Sequence, residues 1–196
     1  SWTKPLTLQK ADAMKNFAQF IATSTFAQLC QSRWPSEFQV LLDRVAFDEP
    51  DEYVFQKYWD QFEEKNAAEQ IRRLRQLSAC RIAWRDISQQ ASFKTTCDEL
   101  SRLADRCQQL ALKEAFVRVE AKLGPLMPTS DGISPASCRF CIMAMGKLGS
   151  YELNFSSDID VIFVYQGQGQ SAGRRKLSAA EYFTCLLYTS DAADDR

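Results

Sequence analysis

Met145-Gly146-Lys147-Leu148-Gly149-Ser150-Tyr151-Glu152-Leu153-Asn154-Phe155-Ser156-Ser157-Asp158-Ile159-Asp160-Val161-Ile162-Phe163 is the stretch that decides the fold. Before it, 139–145 reads as a buried strand; Gly146 to Ser150 reads as a turn, followed by a short polar stretch to Ser157. A second strand is expected over 158–165. Side chains alternate across a strand, so Asp158 and Asp160 share one face, roughly 6.5 Å apart at the backbone. Ile159, Val161 and Phe163 take the opposite face and can anchor the strand in a core. Two parallel carboxylates with no lysine close in sequence repel, and need water, protonation or a cation. Magnesium suits oxygen ligands and bridges one or two carboxylates to substrate phosphates.

Gly149-Ser150 precedes the acidic pair by a short turn. Glycine lets backbone N–H groups approach a phosphate, Ser150 adds a hydroxyl and Lys147 a point charge. Each part alone is weak: Asp-x-Asp at a strand edge is more often a solvated turn, Gly-Ser is usually only a turn, and a lysine after a strand is usually exposed. The order strand, Gly-Ser turn, spacer, Asp-x-Asp strand is far more restrictive. No G-x-x-x-x-G-K-[ST] loop competes with it.

The rest of the chain narrows the chemistry. It has 196 residues, 45% hydrophobic and 25% charged, enough for one sizeable domain or two small ones. Histidine is absent, which removes a Ser-His-Asp triad, a Cys-His pair and an H-E-x-x-H site from this segment. The net charge of −1 offers no nucleic-acid coat. No apolar run spans a bilayer and no secretory signal is visible, which points to the cytoplasm. The chain opens Ser1-Trp2, so a start and a targeting segment can lie upstream. Seven cysteines, odd in number and irregularly spaced, read as free thiols in a reducing compartment. Cys138-Arg139-Phe140-Cys141 has C-x-x-C spacing without a second ligand pair, and reads as small apolar residues entering a strand.

All seven glycines lie at or after Gly124. The glycine-free front, 1–123, reads as packed helices, and 124–136, with Pro125, Pro128, Gly132 and Pro135, reads as a linker. Helices are expected over 9–31, 36–45 and 51–65, with Phe17, Phe20, Phe26, Trp59 and Phe62 in core positions. Ile71, Leu74, Leu77, Cys80, Trp84 and Ile87 mark one face of a further helix. Arg72, Arg73, Arg75, Arg81 and Arg85 fall around its other sides; a phosphate- or partner-binding face is one reading, a solvated surface paired with local acids the favoured one. Thr96-Cys97-Asp98-Glu99 reads as the capping box of the next helix, which Gly124-Pro125 stops. After the loop 166–170, Ser178-Ala179-Ala180-Glu181 reads as a second capping box.

The Gly-Ser turn followed by Asp-h-Asp on the next strand resembles the polymerase-β-like nucleotidyltransferase signature. The longer string from Met145 to Phe163 is similar to the hallmark of glutamine synthetase adenylyltransferases, and Arg81-Ile82-Ala83-Trp84 also looks familial. The resemblance covers 51–183. It implies an α+β fold: a helical region, 1–123, the linker, and a partial, incomplete nucleotidyltransferase sheet with flanking helices over 137–184. It further implies Asp158 and Asp160 as catalytic Mg2+ ligands, with Gly146, Lys147, Gly149 and Ser150 binding nucleotide and phosphate. Family members carry two homologous halves. One attaches AMP from ATP to a tyrosine of glutamine synthetase; the other removes it by phosphorolysis, yielding ADP, under control of a PII protein in nitrogen metabolism. Met-Gly-Lys and Asn-Phe-Ser-Ser are similar to the wording of the deadenylylating half. Many members have a second glycine where this chain has Ser150. The family continues into a strand with a third carboxylate, whereas 185–196 does not resemble it and reads as an artefactual or frame-shifted end. Asp191, Asp194 and Asp195 are therefore given no role, and the fragment itself is expected to be inactive. Two other classes remain open: a nucleotidyltransferase working in the forward direction or on another acceptor, and a non-catalytic helical module that docks glutamine synthetase or PII.

Overall fold

The computed structural model describes residues 6–44, 66–128 and 139–191. The helix expected over 51–65 lies outside them, as do Cys138, most of the 124–136 linker and the last five residues of the tail. The chain divides into two compact units, one formed by Ser1–Ala104 with Glu152–Phe155 and the other by Asp105–Tyr151 with Ser156–Arg196. Helices joined by short antiparallel ribbons make the fold α+β, as expected. Among the described residues no helix is long and apolar enough to cross a membrane.

In the first unit the glycine-free sequence forms α1 (Leu6–Thr23), α2 (Thr25–Arg33), α3 (Pro35–Arg44) and α4 (Ala67–Ile87). The single helix expected over 9–31 is two helices. The break is at Ser24, whose extended backbone lets its hydroxyl accept from the Ala27 N–H at 3.2 Å and cap α2. Pro35 opens α3, where its missing N–H is no loss. Phe17 and Phe20 are buried against Trp84, with ring centroids 5.1 and 5.7 Å away, and Phe17 stacks on Phe38. Phe26, expected in the core, is 37% exposed.

On α4 the face Leu74, Leu77, Cys80 and Trp84 is buried as its spacing implies, while Ile87 at the last turn is exposed. The arginines correct the favoured reading. Arg73, Arg81 and Arg85 are buried, because neighbouring helices cover the supposed solvent side. Arg73 pairs with Glu37, 36 residues earlier, at 2.6 Å, and Arg85 pairs with Glu99. Arg72 follows the local pattern, meeting Glu69 at 2.6 Å, and Arg75 is exposed as that reading has it.

Helix α5 (Phe93–Leu123) starts three residues before the expected box. Ser92 caps it, its hydroxyl accepting from the Thr95 N–H at 3.1 Å. Thr96 and Glu99 instead turn to α4: the Thr96 hydroxyl donates to Asp86 at 2.9 Å, and Glu99 takes Arg85. In the same unit the Leu153 N–H donates to the Ser101 hydroxyl at 3.3 Å, burying Leu153. The helix stops at Gly124, whose N–H closes on the Glu120 carbonyl at 2.8 Å.

The second unit builds its core from Ala115 and Val119 of α5 and Ala179, Tyr182, Phe183 and Leu186 of α7 (Ala179–Asp191). The Ser178–Glu181 box opens α7 as read: the carboxylate accepts the Ser178 N–H at 2.8 Å, and the Ser178 hydroxyl accepts the Glu181 N–H at 3.3 Å. The helix continues to Asp191, into the stretch read as tail. Within the expected linker, β1 (Leu126–Pro128) pairs antiparallel with β4 (Gly169–Ser171), which takes residues from the expected 166–170 loop. The main ribbon is β2 (Arg139–Met145) against β3 (Asp160–Gln166), in register from Arg139↔Gln166 to Met145↔Asp160. Phe140 seats it, stacking on Phe183 at 5.2 Å and Phe163 at 6.1 Å. Neither strand is buried as expected: β2 alternates between exposed and half-buried, and β3 is exposed nearly throughout, Phe163 included. Among the described residues this sheet has two strands, and a two-stranded ribbon cannot shield both faces.

Candidate active site

The six residues singled out by the sequence lie on one continuous passage, from the end of β2 to the start of β3. The ladder ends at Met145↔Asp160 because the chain turns sharply at Gly146, which adopts φ +53°. There a side chain is strained and glycine is not. A second constraint acts at the same atom. The Asp160 carboxylate oxygen lies 3.0 Å from where a Gly146 Cβ would stand. Glycine thus lets the strand acid come up against the turn.

Residues Gly146–Gly149 form a single helical turn, α6, anchored by the buried Leu148. Gly149 closes on the preceding strand so tightly that a Cβ would sit 2.7 Å from the Ala144 carbonyl oxygen. Ser150 caps the turn, its N–H returning to the Gly146 carbonyl at 3.2 Å. Its hydroxyl, expected as a donor to phosphate, donates here to the carbonyls of Gly146 at 3.2 Å and Lys147 at 3.3 Å. Lys147 reaches across the passage, its ammonium donating to the Ser157 hydroxyl at 3.4 Å. That contact sets a positive charge one residue from Asp158.

Asp158 and Asp160 are both exposed. The strand begins at Asp160 rather than Asp158, because pairing with β2 ends where Gly146 turns away. Asp158 therefore lies just outside the ladder, and the alternation rule holds for Asp160 alone. Ile159, expected to anchor the strand from inside, is 47% exposed.

One further residue belongs to the passage and was missed. Tyr151 takes φ +59°, and its phenol donates to the Asp105 carboxylate of α5 at 2.8 Å. The partners are 46 residues apart, with no local pattern to link them.

Among the described residues no group of three or more His, Cys, Asp or Glu side chains could hold a metal together. Two exposed carboxylates are nonetheless a suitable donor set for magnesium, which keeps several waters and takes one or two carboxylates plus substrate phosphate oxygens. Six cysteines among the described residues are free thiols, none beside this passage in the sequence except Cys141 of β2.

Comparison with known proteins gives a consistent family. Residues 14–188 match the family described as glutamate-ammonia ligase adenylyltransferase, a longer span than the 51–183 of the motif resemblance, reaching into the tail. The chain is similar to three curated proteins, each named bifunctional glutamine synthetase adenylyltransferase/adenylyl-removing enzyme. The Xanthomonas oryzae pv. oryzae protein is 31% identical over 175 residues, 89% of this chain and 18% of the relative. The Nitrosococcus oceani protein is 35% identical over 190 residues, 92% and 19%. The Pseudomonas aeruginosa protein is 39% identical over 125 residues, 63% and 12%. The chain thus spans under a fifth of the length of these relatives.

Proposed function

This chain belongs to the glutamate-ammonia ligase adenylyltransferase family, and we propose that 139–166 carries a nucleotidyl-transfer site that removes AMP from a tyrosine of glutamine synthetase. The observation that carries this reading is the meeting of Gly146 and Asp160: a glycine turn and a strand acid in contact at the mouth of a β-ribbon.

Asp158 and Asp160 are the residues that would hold Mg2+. When bound, the ion offsets the charge of the phosphate oxygens during transfer. The turn at 146–150 borders the adenylyl phosphate, with the Ser150 N–H and hydroxyl committed to holding the turn together, and Lys147 adds a positive charge over the same passage. An oxygen of inorganic phosphate attacks the adenylyl phosphorus in line, the tyrosine O–P bond breaks, ADP forms and tyrosinate takes a proton from water. The attacking phosphate is already anionic, so this chemistry needs no histidine base, in keeping with a chain that has none. Glutamine synthetase, ADP and phosphate are the substrates and products so implied. Regulation through a PII protein, and a place in nitrogen assimilation, go with the family.

The direction of transfer is tested with Asp158→Asn in a full-length relative whose matched segment has been exchanged for residues 14–188 of this chain. ADP release from adenylylated glutamine synthetase and AMP incorporation from ATP are measured side by side. Loss of release with incorporation retained is expected. Retained release with lost incorporation assigns this segment to the forward reaction, and no change in either removes Asp158 from the site.

A further inference from the structure

Tyr151 is the residue that the transfer chemistry leaves unused, and its conformation is unusual. It directly follows Ser150, the cap of the single helical turn. At that position a chain leaving a helix commonly swings into the left-handed region, and glycine or asparagine is its usual occupant. Tyrosine sits there instead at φ +59°, with its N–H closing on the Leu148 carbonyl at 3.1 Å. A bulky residue held in the left-handed region persists only when its surroundings over-determine it, and such residues cluster where backbone geometry matters for function.

The surroundings are specific. The phenol donates to the Asp105 carboxylate at 2.8 Å, a charge-assisted bond of near-ideal length. Asp105 lies in the middle of α5, a 31-residue helix and hence a stiff support. The ring is otherwise 45% exposed, so packing alone does not hold it. The hydrogen bond ties the end of the Gly149-Ser150 turn to a helix outside the ribbon.

We propose that Tyr151 is a positioning residue: its bond to Asp105 locks the left-handed turn, and so sets the Gly149-Ser150 backbone for the adenylyl phosphate. The inference rests on the proposed transfer site and adds to it a tether from α5. Tyr151 touches neither phosphate nor metal in this account; it acts through the backbone of the two residues before it. Small misplacement of a phosphate cradle costs turnover more than affinity.

The experiment uses the same full-length exchange enzyme, with phosphorolysis kinetics and thermal melting read together. Tyr151→Phe and Asp105→Ala are expected to lower kcat about 10- to 100-fold, with the KM for phosphate and the melting temperature little changed. Asp105→Asn keeps an oxygen that accepts the phenol proton and is expected to restore most of kcat. Tyr151→Gly relieves the left-handed strain, so melting holds or rises while kcat still falls. Asp160→Asn is the control for the site itself. If Asp160→Asn is inactive and Tyr151→Phe and Asp105→Ala match the parent, the tether is refuted and the site stands. If both tether variants lose kcat only in proportion to lost melting temperature, and Asp105→Asn fails to restore it, the bond is structural and the inference is overturned. If Asp160→Asn is fully active, the site and the tether fall together.

Discussion

Gly146 follows directly on Met145↔Asp160, the last rung of the β2–β3 ribbon, and the Asp160 carboxylate lies 3.0 Å from the point where a Gly146 side chain would begin. Two requirements coincide at Gly146, a left-handed backbone and an empty Cβ position. Gly146→Ala meets both. The carboxylate is the free end of a side chain and can move aside, so the stability loss is set by backbone strain, about 1–2 kcal/mol. Activity depends on where that carboxylate points. The variant is expected to melt only slightly earlier in this chain, yet to lose most phosphorolysis in the full-length exchange enzyme.

Arg85 and Glu99 form a nearly buried ion pair joining α4 to α5. Removing one partner strands the other. Glu99→Leu alone is expected to cost about 3–5 kcal/mol by denaturant unfolding, whereas Arg85→Met with Glu99→Leu recovers most of the loss. A double variant as unstable as the single one would contradict this account of the pair.

These arginines show where a single sequence is legible and where it is not. Residues that act within one turn or one strand were readable: the strand Arg139–Met145, the Ser178–Glu181 box and the stop at Gly124 rest on neighbours close in the chain. Arg73 and Arg85 were misjudged because their acids lie on other helices. Thr96 and Glu99 carry the letters of a capping box, but both side chains are drawn to α4, and Ser92 does the capping. Ser24 broke a long helix because its hydroxyl favours a new cap over continuation. In the candidate site, the order of glycines and acids was legible and the Gly146 turn follows from it. The strand start at Asp160 depends on where the partner strand leaves, and the Tyr151–Asp105 bond depends on α5 coming alongside. Neither has a local signature.

Tyr182 is buried in the core of the second unit, and its hydroxyl has no hydrogen-bond partner among the described residues. Burial, and then the negative charge of Glu120, push its phenol up to about 12. Its folded value lies above its unfolded one, so its contribution is full below about pH 10 and is lost as pH rises from there towards 12. Thermal melts across that range are expected to show an alkaline decline that Tyr182→Phe removes. At neutral pH the phenylalanine variant is expected to be as stable as the parent or more so, since no bond is broken.

Glu181 titrates in the opposite sense. The Ser178 N–H, then the Ser178 hydroxyl, hold its carboxyl below the ordinary range. The cap is therefore complete above the ordinary carboxylate pKa and is lost as pH falls through the lowered one. Glu181→Gln is expected to flatten the acid limb of helix content followed by circular dichroism, with little effect at neutral pH. An unchanged acid limb would mean that the box contributes nothing to α7.

The central claim is that Asp160, brought against Gly146, serves nucleotidyl transfer. The most direct measurement is the rate of ADP formation from adenylylated glutamine synthetase and inorganic phosphate by the full-length exchange enzyme and its Asp160→Asn variant. The account predicts a loss of about 100-fold or more, comparable to removing a principal charge-stabilising group, with unchanged melting. Phosphorolysis by Asp160→Asn at the parent rate would contradict it.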